Sequence, residues 1–98
     1  MNNIINLLNV QKQIDKEKEY IEYNGKKIKM PFKGYFNDHR MVKTTNPWSG
    51  ESVFLPRFAQ DVYHKIKNAE LHQDYKTMRK GLDWFQKHFI DEYFVLLD

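Results

Sequence analysis

An Asn-Gly dipeptide stands between two alternating runs in the stretch Tyr20-Ile21-Glu22-Tyr23-Asn24-Gly25-Lys26-Lys27-Ile28-Lys29-Met30. Asn-Gly accepts the positive φ angles of a type I′ turn, the two-residue loop whose twist matches that of paired strands. Counting outward from this turn places Ile21 opposite Ile28 and Glu22 opposite Lys27. One face of the predicted hairpin then carries the side chains Ile21, Tyr23, Ile28 and Met30, and the other carries Tyr20, Glu22, Lys27 and Lys29.

Two further strands are expected at residues 40–44 and 52–54. The segment Asn46-Pro47-Trp48-Ser49-Gly50 between them has the composition of a turn. A two-stranded hairpin alone is marginally stable in water, so we expect these strands to extend the Asn-Gly hairpin into one small antiparallel sheet.

Helical periodicity dominates the rest of the chain. Apolar residues at positions 4, 7, 8 and 14 predict an N-terminal amphipathic helix over residues 3–18. A second helix is expected over about residues 56–71, with Pro56 at its first position and His72-Gln73 as the break after it. The third begins after Asp74 as its N-cap, and its apolar stripe is Tyr75, Met78, Leu82, Phe85 and Phe89. Asp91 is expected to cap a short terminal helix over residues 92–97.

These elements predict an α+β fold, with an N-terminal helix, a small antiparallel sheet built on the Asn-Gly hairpin, a C-terminal helical pair and a short terminal helix. A length of 98 residues, 41% of them hydrophobic and 15% aromatic, fits a single domain over residues 1–98 with one core. We expect the helices to pack on the sheet face that carries Ile21, Ile28 and Met30.

Several classes of function are disfavoured by the composition. The chain has no cysteine, and none of its four histidines has a second histidine at the i+3 or i+4 spacing of a helical metal site. Asp38, His39 and Arg40 are adjacent, which would turn their side chains to opposite faces of a strand. We therefore expect no enzymatic activity, no catalytic residues, no metal and no cofactor. The chain has no long apolar run or signal sequence, so a cytoplasmic location without membrane contact is expected.

Positive charge is concentrated in the first half of the chain. Residues 1–50 carry nine Lys/Arg against five Asp/Glu. Aromatic residues lie among these lysines, a combination that holds single-stranded nucleic acid in some β-sheet proteins. The nucleic-acid contacts predicted by this alternative are Lys26, Lys27, Lys29, Lys33 and Lys43. Ordinary solvated surface is the other interpretation of the same residues.

Exposed aromatic and guanidinium side chains favour protein contact instead. Trp48 stands in a turn, where its ring either folds back onto the core or anchors an interface. The predicted partner-binding residues are Tyr35, Arg40 and Trp48. Trp84 lies one position off the apolar stripe, where it either seals the helix edge or meets a second subunit.

Three motifs in the second half of the chain resemble those of a group of small tailed-bacteriophage proteins: Asn46-Pro47-Trp48-Ser49-Gly50-Glu51, Gly81-Leu82-Asp83-Trp84-Phe85, and Tyr93-Phe94-Val95-Leu96-Leu97-Asp98. The resemblance covers a little over half the chain, and it departs at Ile90, where proline is common in the group. It implies a phage origin and assigns no residue a role.

Small phage proteins without catalytic groups commonly act by binding. The sequence and the resemblance together lead us to expect a non-enzymatic protein that inhibits or modulates a host or defence protein in the host cytoplasm. The alternatives are a nucleic-acid-binding accessory protein, a minor virion component and a protein that sequesters a small molecule. The oligomeric state is left open.

Overall fold

The structure is a computed structural model that describes residues 19–35 and 37–98. Its elements are β1 (Tyr20–Tyr23), β2 (Lys26–Lys29), β3 (Met41–Thr45), β4 (Ser52–Pro56), α1 (Arg57–Leu71), α2 (Tyr75–His88) and α3 (Ile90–Leu96). The α+β class is confirmed. The predicted N-terminal helix, residues 3–18, lies outside the described residues. The chain divides into two compact units, with the boundary between Asn37 and Asp38.

The first unit contains the Asn-Gly hairpin in the predicted register. Ile21 pairs with Ile28, Glu22 with Lys27, and Tyr20 with Lys29 in the antiparallel β1–β2 ladder. Asn24 and Gly25 have φ angles of 52° and 76°, the left-handed values that a type I′ turn requires. Ile21, Ile28 and Met30 are buried and Tyr23 is half-buried, as the alternation predicts.

The prediction of one extended sheet is wrong. Among the described residues, β3 and β4 form a second two-stranded sheet that is not hydrogen-bonded to β1–β2. Its ladder pairs Val42 with Leu55 and Thr44 with Val53. The inward-facing side of this second hairpin packs on α1, and β4 also packs on α3, so helices support it in place of further strands.

The second unit has an aromatic core. Phe58, from α1, has its ring centroid 6.1 Å from that of Phe89, and the Phe89 ring lies 5.9 Å from Phe85 and 5.6 Å from Trp84. Such offset and edge-on ring contacts add to the stabilisation from buried area. Helix α1 packs on α2, and α2 on α3. The packing of the helices on the hairpin face that carries Ile21, Ile28 and Met30 stays a prediction.

Two predicted helix starts are wrong. Pro56 is the last residue of β4 and the N-cap of α1, because its ψ of 146° is extended. The first amides of α1 are bonded to preceding backbone: Arg57 N–H donates to Arg40 O at 2.8 Å, and Phe58 N–H donates to Asp38 O at 3.1 Å. The last helix begins at Ile90, with Asp91 in its first turn. Phe89, which has a φ of −139° and a ψ of 57°, is the non-helical residue that separates this helix from α2.

The predicted cap of α2 is confirmed. Asp74 accepts a hydrogen bond from the Thr77 backbone N–H at 3.2 Å, which satisfies one of the free amides of the first turn. Hydrogen bonds from the Thr77 side chain and from its backbone N–H hold the pKa of the Asp74 carboxyl below its ordinary value. The preceding break at His72-Gln73 is also present, with Gln73 in the left-handed region at a φ of 55°.

The buried face of α2 differs from the predicted apolar stripe. Gly81, Trp84 and Phe85 are its buried residues, whereas Met78 and Leu82 are half-buried and Tyr75 is exposed. Trp84 therefore belongs to the core, with 6% of its surface exposed. The periodicity identified an apolar helix, but the positions of the neighbouring elements decide which side of that helix is covered.

A candidate partner-binding cleft

The turn between β3 and β4 is fixed by hydrogen bonds to Asn46. Its backbone N–H donates to Glu51 O at 2.8 Å, and its carbonyl accepts from Gly50 N–H at 2.9 Å. Its side-chain Oδ1 accepts from Trp48 N–H at 2.8 Å, an Asx turn. Gly50 has a φ of 77°, which favours glycine at this position. The Asn-Pro-x-x-Gly-Glu motif is thus explained by the geometry of the turn.

The same asparagine joins the turn to the last helix. Asn46 Nδ2 donates a hydrogen bond to Val95 O at 2.8 Å in a partly buried position. Asn46 therefore uses both ends of its amide, one for the turn and one for α3. The backbone that carries Trp48 is held against the helical part of the unit.

Trp48 projects from this turn into solvent. Its side chain is 89% exposed, so the interpretation that it folds back onto the core is wrong. A large aromatic side chain held on a turn with fixed backbone loses little conformational entropy when a partner covers it. Exposure and a fixed backbone are the properties expected of an interface anchor.

A cleft of about 430 Å³ lies beside Trp48. Its lining residues come from the turn, α1, α2 and the C-terminal segment: Asn46, Trp48, Ile66, Lys67, Glu70, Met78, Leu82, Leu96, Leu97 and Asp98. Ile66 and Leu96 are buried, and Met78, Leu82 and Leu97 are half-buried. The incomplete burial of Met78 and Leu82 is explained by this cleft, because their side chains line it.

Charged side chains border the apolar lining. Lys67 Nζ lies 3.3 Å from Glu70 Oε2, an i,i+3 ion pair on α1. The cleft thus combines aliphatic and thioether surface with a polar margin, and its volume lies within the range of about 300–1,000 Å³ typical of ligand sites. Such a surface can accept one or two apolar side chains of a partner.

The three motifs that carry the phage resemblance meet at this cleft. The turn motif supplies Asn46 and Trp48, the helix motif supplies Leu82, and the terminal motif supplies Leu96, Leu97 and Asp98. The turn motif precedes the other two by thirty residues or more in the sequence, and the fold brings all three to one place.

Of the predicted partner contacts, Tyr35 requires correction. Its side chain is 8% exposed, and its ring centroid lies 6.4 Å from that of Phe32 within the first unit. A buried ring offers little surface to a partner. We therefore leave Tyr35 out of the candidate site.

Arg40 is exposed but belongs to a different feature from Trp48. Its guanidinium forms a bidentate ion pair with the Asp38 carboxylate. Nε lies 3.0 Å from Oδ1, and a terminal nitrogen, Nη2, lies 2.7 Å from Oδ2. The hydrogen bonds from Arg40 lower the pKa of Asp38 from its ordinary 3.8 to about 2. Arg40 precedes β3 and Trp48 follows it, so the strand separates them by roughly 20 Å at about 3.3 Å per residue.

The predicted nucleic-acid contacts divide between the units. Lys26, Lys27, Lys29 and Lys33 are exposed in the first unit, whereas Lys43 is exposed on β3 of the second. Lys27 Nζ lies 4.8 Å from the centroid of the Tyr20 ring, a cation–π contact that the sequence pattern had not identified.

The cleft itself was missed by sequence reasoning. Ile66, Leu82 and Leu96 have the spacing of ordinary core residues, and their periodicity carries no sign of a gap between them. The available signal was the presence of three sequence motifs whose residues carry no catalytic chemistry. In residues 19–35 and 37–98 no three His, Asp or Glu side chains are grouped to hold a metal ion, and no helix there is long and apolar enough to cross a membrane.

Comparison with protein-family models, with curated proteins and with solved structures finds no match to this chain. The function proposed below therefore rests on the chain's own residues and on the resemblance of its motifs.

Proposed function

We propose that this chain is a small non-enzymatic phage protein that binds a host or defence protein through Trp48 and the adjacent cleft, and thereby inhibits or modulates it. The observation that carries the proposal is the 89% exposure of Trp48 on a turn held by Asn46, beside a cleft of about 430 Å³ with apolar and polar lining residues. The phage origin rests on the three sequence motifs alone.

The chemistry of the cleft supports a protein segment as its occupant. An aliphatic side chain of the partner would lie against Met78, Leu82 and Leu97, while its backbone would cross the ring of Trp48. The Lys67–Glu70 pair at the margin can satisfy polar groups of the same segment. An exposed aromatic anchor beside mixed apolar and polar surface is common in protein interfaces.

Site-specific photo-crosslinking in the host bacterium tests the proposal. Trp48 is replaced by p-benzoyl-phenylalanine, and a second strain carries the same group in place of Tyr75, a 62% exposed aromatic residue that does not line the cleft. We expect a discrete adduct from position 48, competed by the unlabelled protein and absent from position 75. Equal adducts from both positions, or none from position 48, would contradict the proposal. An adduct with the particle's own structural proteins would favour a virion component instead.

A further inference from the structure

The solvent-facing side of the first hairpin combines an aromatic ring with basic side chains. Because Ile21 and Ile28 face inward and are buried, the alternate positions face solvent. Those positions are Tyr20, Glu22, Lys27 and Lys29, all exposed. The face is small and has a defined register, so the relative positions of its side chains follow from the ladder.

Tyr20 neighbours the two lysines that β2 presents on this face, Lys27 and Lys29. It pairs across the ladder with Lys29, and the Lys27 ammonium lies 4.8 Å from its ring centroid on the diagonal. Tyr20 remains 40% exposed, so part of its surface is open to a ligand. A base can stack on such a ring while cations beside it contact phosphates.

The spacing of the lysines matches an extended polyanion. Lys27 and Lys29 are two residues apart on one face of a strand, which separates their Cα atoms by about 6.6–6.8 Å. This is close to the distance between successive phosphates in an extended nucleic-acid strand. Lys26, the first residue of β2, and Lys33, which follows the hairpin, are also exposed and add positive charge to this unit.

We propose that this face is a binding site for single-stranded nucleic acid, with a base stacked on Tyr20 and consecutive phosphates on Lys27 and Lys29. Single strands are favoured over duplexes because the ring requires an unstacked base face, which a duplex hides. Glu22 pairs across the ladder with Lys27 and opposes phosphate binding there. The site is independent of the Trp48 cleft, and either can fail without the other.

Fluorescence anisotropy with labelled oligo(dT) of fifteen nucleotides tests the site, with a duplex of the same length for comparison. The site variant is Lys27→Gln with Lys29→Gln. The charge-matched control is Lys76→Gln with Lys87→Gln, two exposed lysines on α2. We expect the site variant to weaken binding at least about tenfold at low salt and to reduce the slope of log affinity against log salt by about 1.4, since each lost phosphate contact removes about 0.7. The control should stay within about threefold.

Two single variants separate stacking from charge. Tyr20→Leu should weaken single-strand binding by at least about fivefold and leave the salt slope unchanged, because stacking involves no counterion release. Glu22→Gln should strengthen binding. The proposal is overturned if oligo(dT) does not bind at low salt or if the duplex binds as tightly as the single strand. It is also overturned if the site variant and the control variant weaken binding equally. Circular dichroism of each variant checks that the hairpin and helices are retained.

Discussion

Asn46 Nδ2 donates a hydrogen bond of 2.8 Å to the backbone carbonyl of Val95, forty-nine residues further along the chain. This bond connects the β3–β4 turn to the last helix, while Asn46 Oδ1 accepts from the Trp48 amide. One side chain therefore positions both the exposed tryptophan and a wall of the cleft.

Replacement of this asparagine should destabilise the protein. Asn46→Ala leaves the partly buried Val95 carbonyl without its donor and removes the Asx turn, so we expect the free energy of unfolding to fall by about 1–3 kcal/mol. Asn46→Asp keeps an acceptor for Trp48 but loses the donor and brings a carboxylate to the carbonyl, so it should be at least as damaging. Chemical denaturation measures the change, with Asn68→Ala, an exposed asparagine on α1, as the control. An Asn46→Ala protein as stable as the control would show that the bond does not hold the turn.

The two tryptophans should differ sharply in their contribution to stability. Trp84 is 6% exposed among Phe85 and Phe89, so Trp84→Ala should cost about 3–5 kcal/mol. Trp48→Ala removes a side chain that is 89% exposed and should change stability by less than about 0.5 kcal/mol. Urea unfolding of both variants provides the measurement. A large loss for Trp48→Ala would mean that the ring packs on the core, and the variant could not then be used as a clean test of binding.

The Asp38–Arg40 pair predicts a dependence on acid pH. Hydrogen bonds from Arg40 lower the pKa of Asp38 from 3.8 to about 2, so the folded state favours the ionised carboxylate. The stabilisation from this pair is therefore complete above pH 3.8 and is lost as the pH falls toward 2. Arg40→Gln should return the pKa of Asp38 toward 3.8 and remove that part of the acid sensitivity.

Carboxyl carbon shifts of Asp38, followed by NMR from neutral to acid pH, measure this pKa directly. Asp74, whose pKa is lowered by hydrogen bonds from Thr77, supplies an internal comparison that Arg40→Gln should not alter. An Asp38 pKa that is the same in the wild type and in Arg40→Gln would refute the stated cause.

Local signals in the sequence predicted local structure well. The Asn-Gly turn defines the β1–β2 register because the turn type dictates which residues face each other, and Asp74 caps α2 through a residue three positions away. The break after α1 at His72-Gln73 was likewise predicted from the residues at that position. Each of these features depends on residues that are close in the chain.

Packing between residues that are distant in the chain could not be predicted from the sequence. The stripe from Tyr75 to Phe89 has a regular period, yet the structure buries Trp84 and leaves Met78 and Leu82 at the cleft. Period alone does not show where the neighbouring elements lie. The Asn46–Val95 bond and the exposure of Trp48 likewise depend on a contact between residues distant in sequence.

The most direct test of the central claim is the dissociation constant of the partner recovered by cross-linking at position 48, measured with the wild type, Trp48→Ala and Tyr75→Ala. A tryptophan that anchors an interface contributes 2 kcal/mol or more, so Trp48→Ala should weaken binding by at least about thirtyfold, whereas Tyr75→Ala should stay within about twofold. A Trp48→Ala protein that binds as tightly as the Tyr75→Ala control would contradict the account.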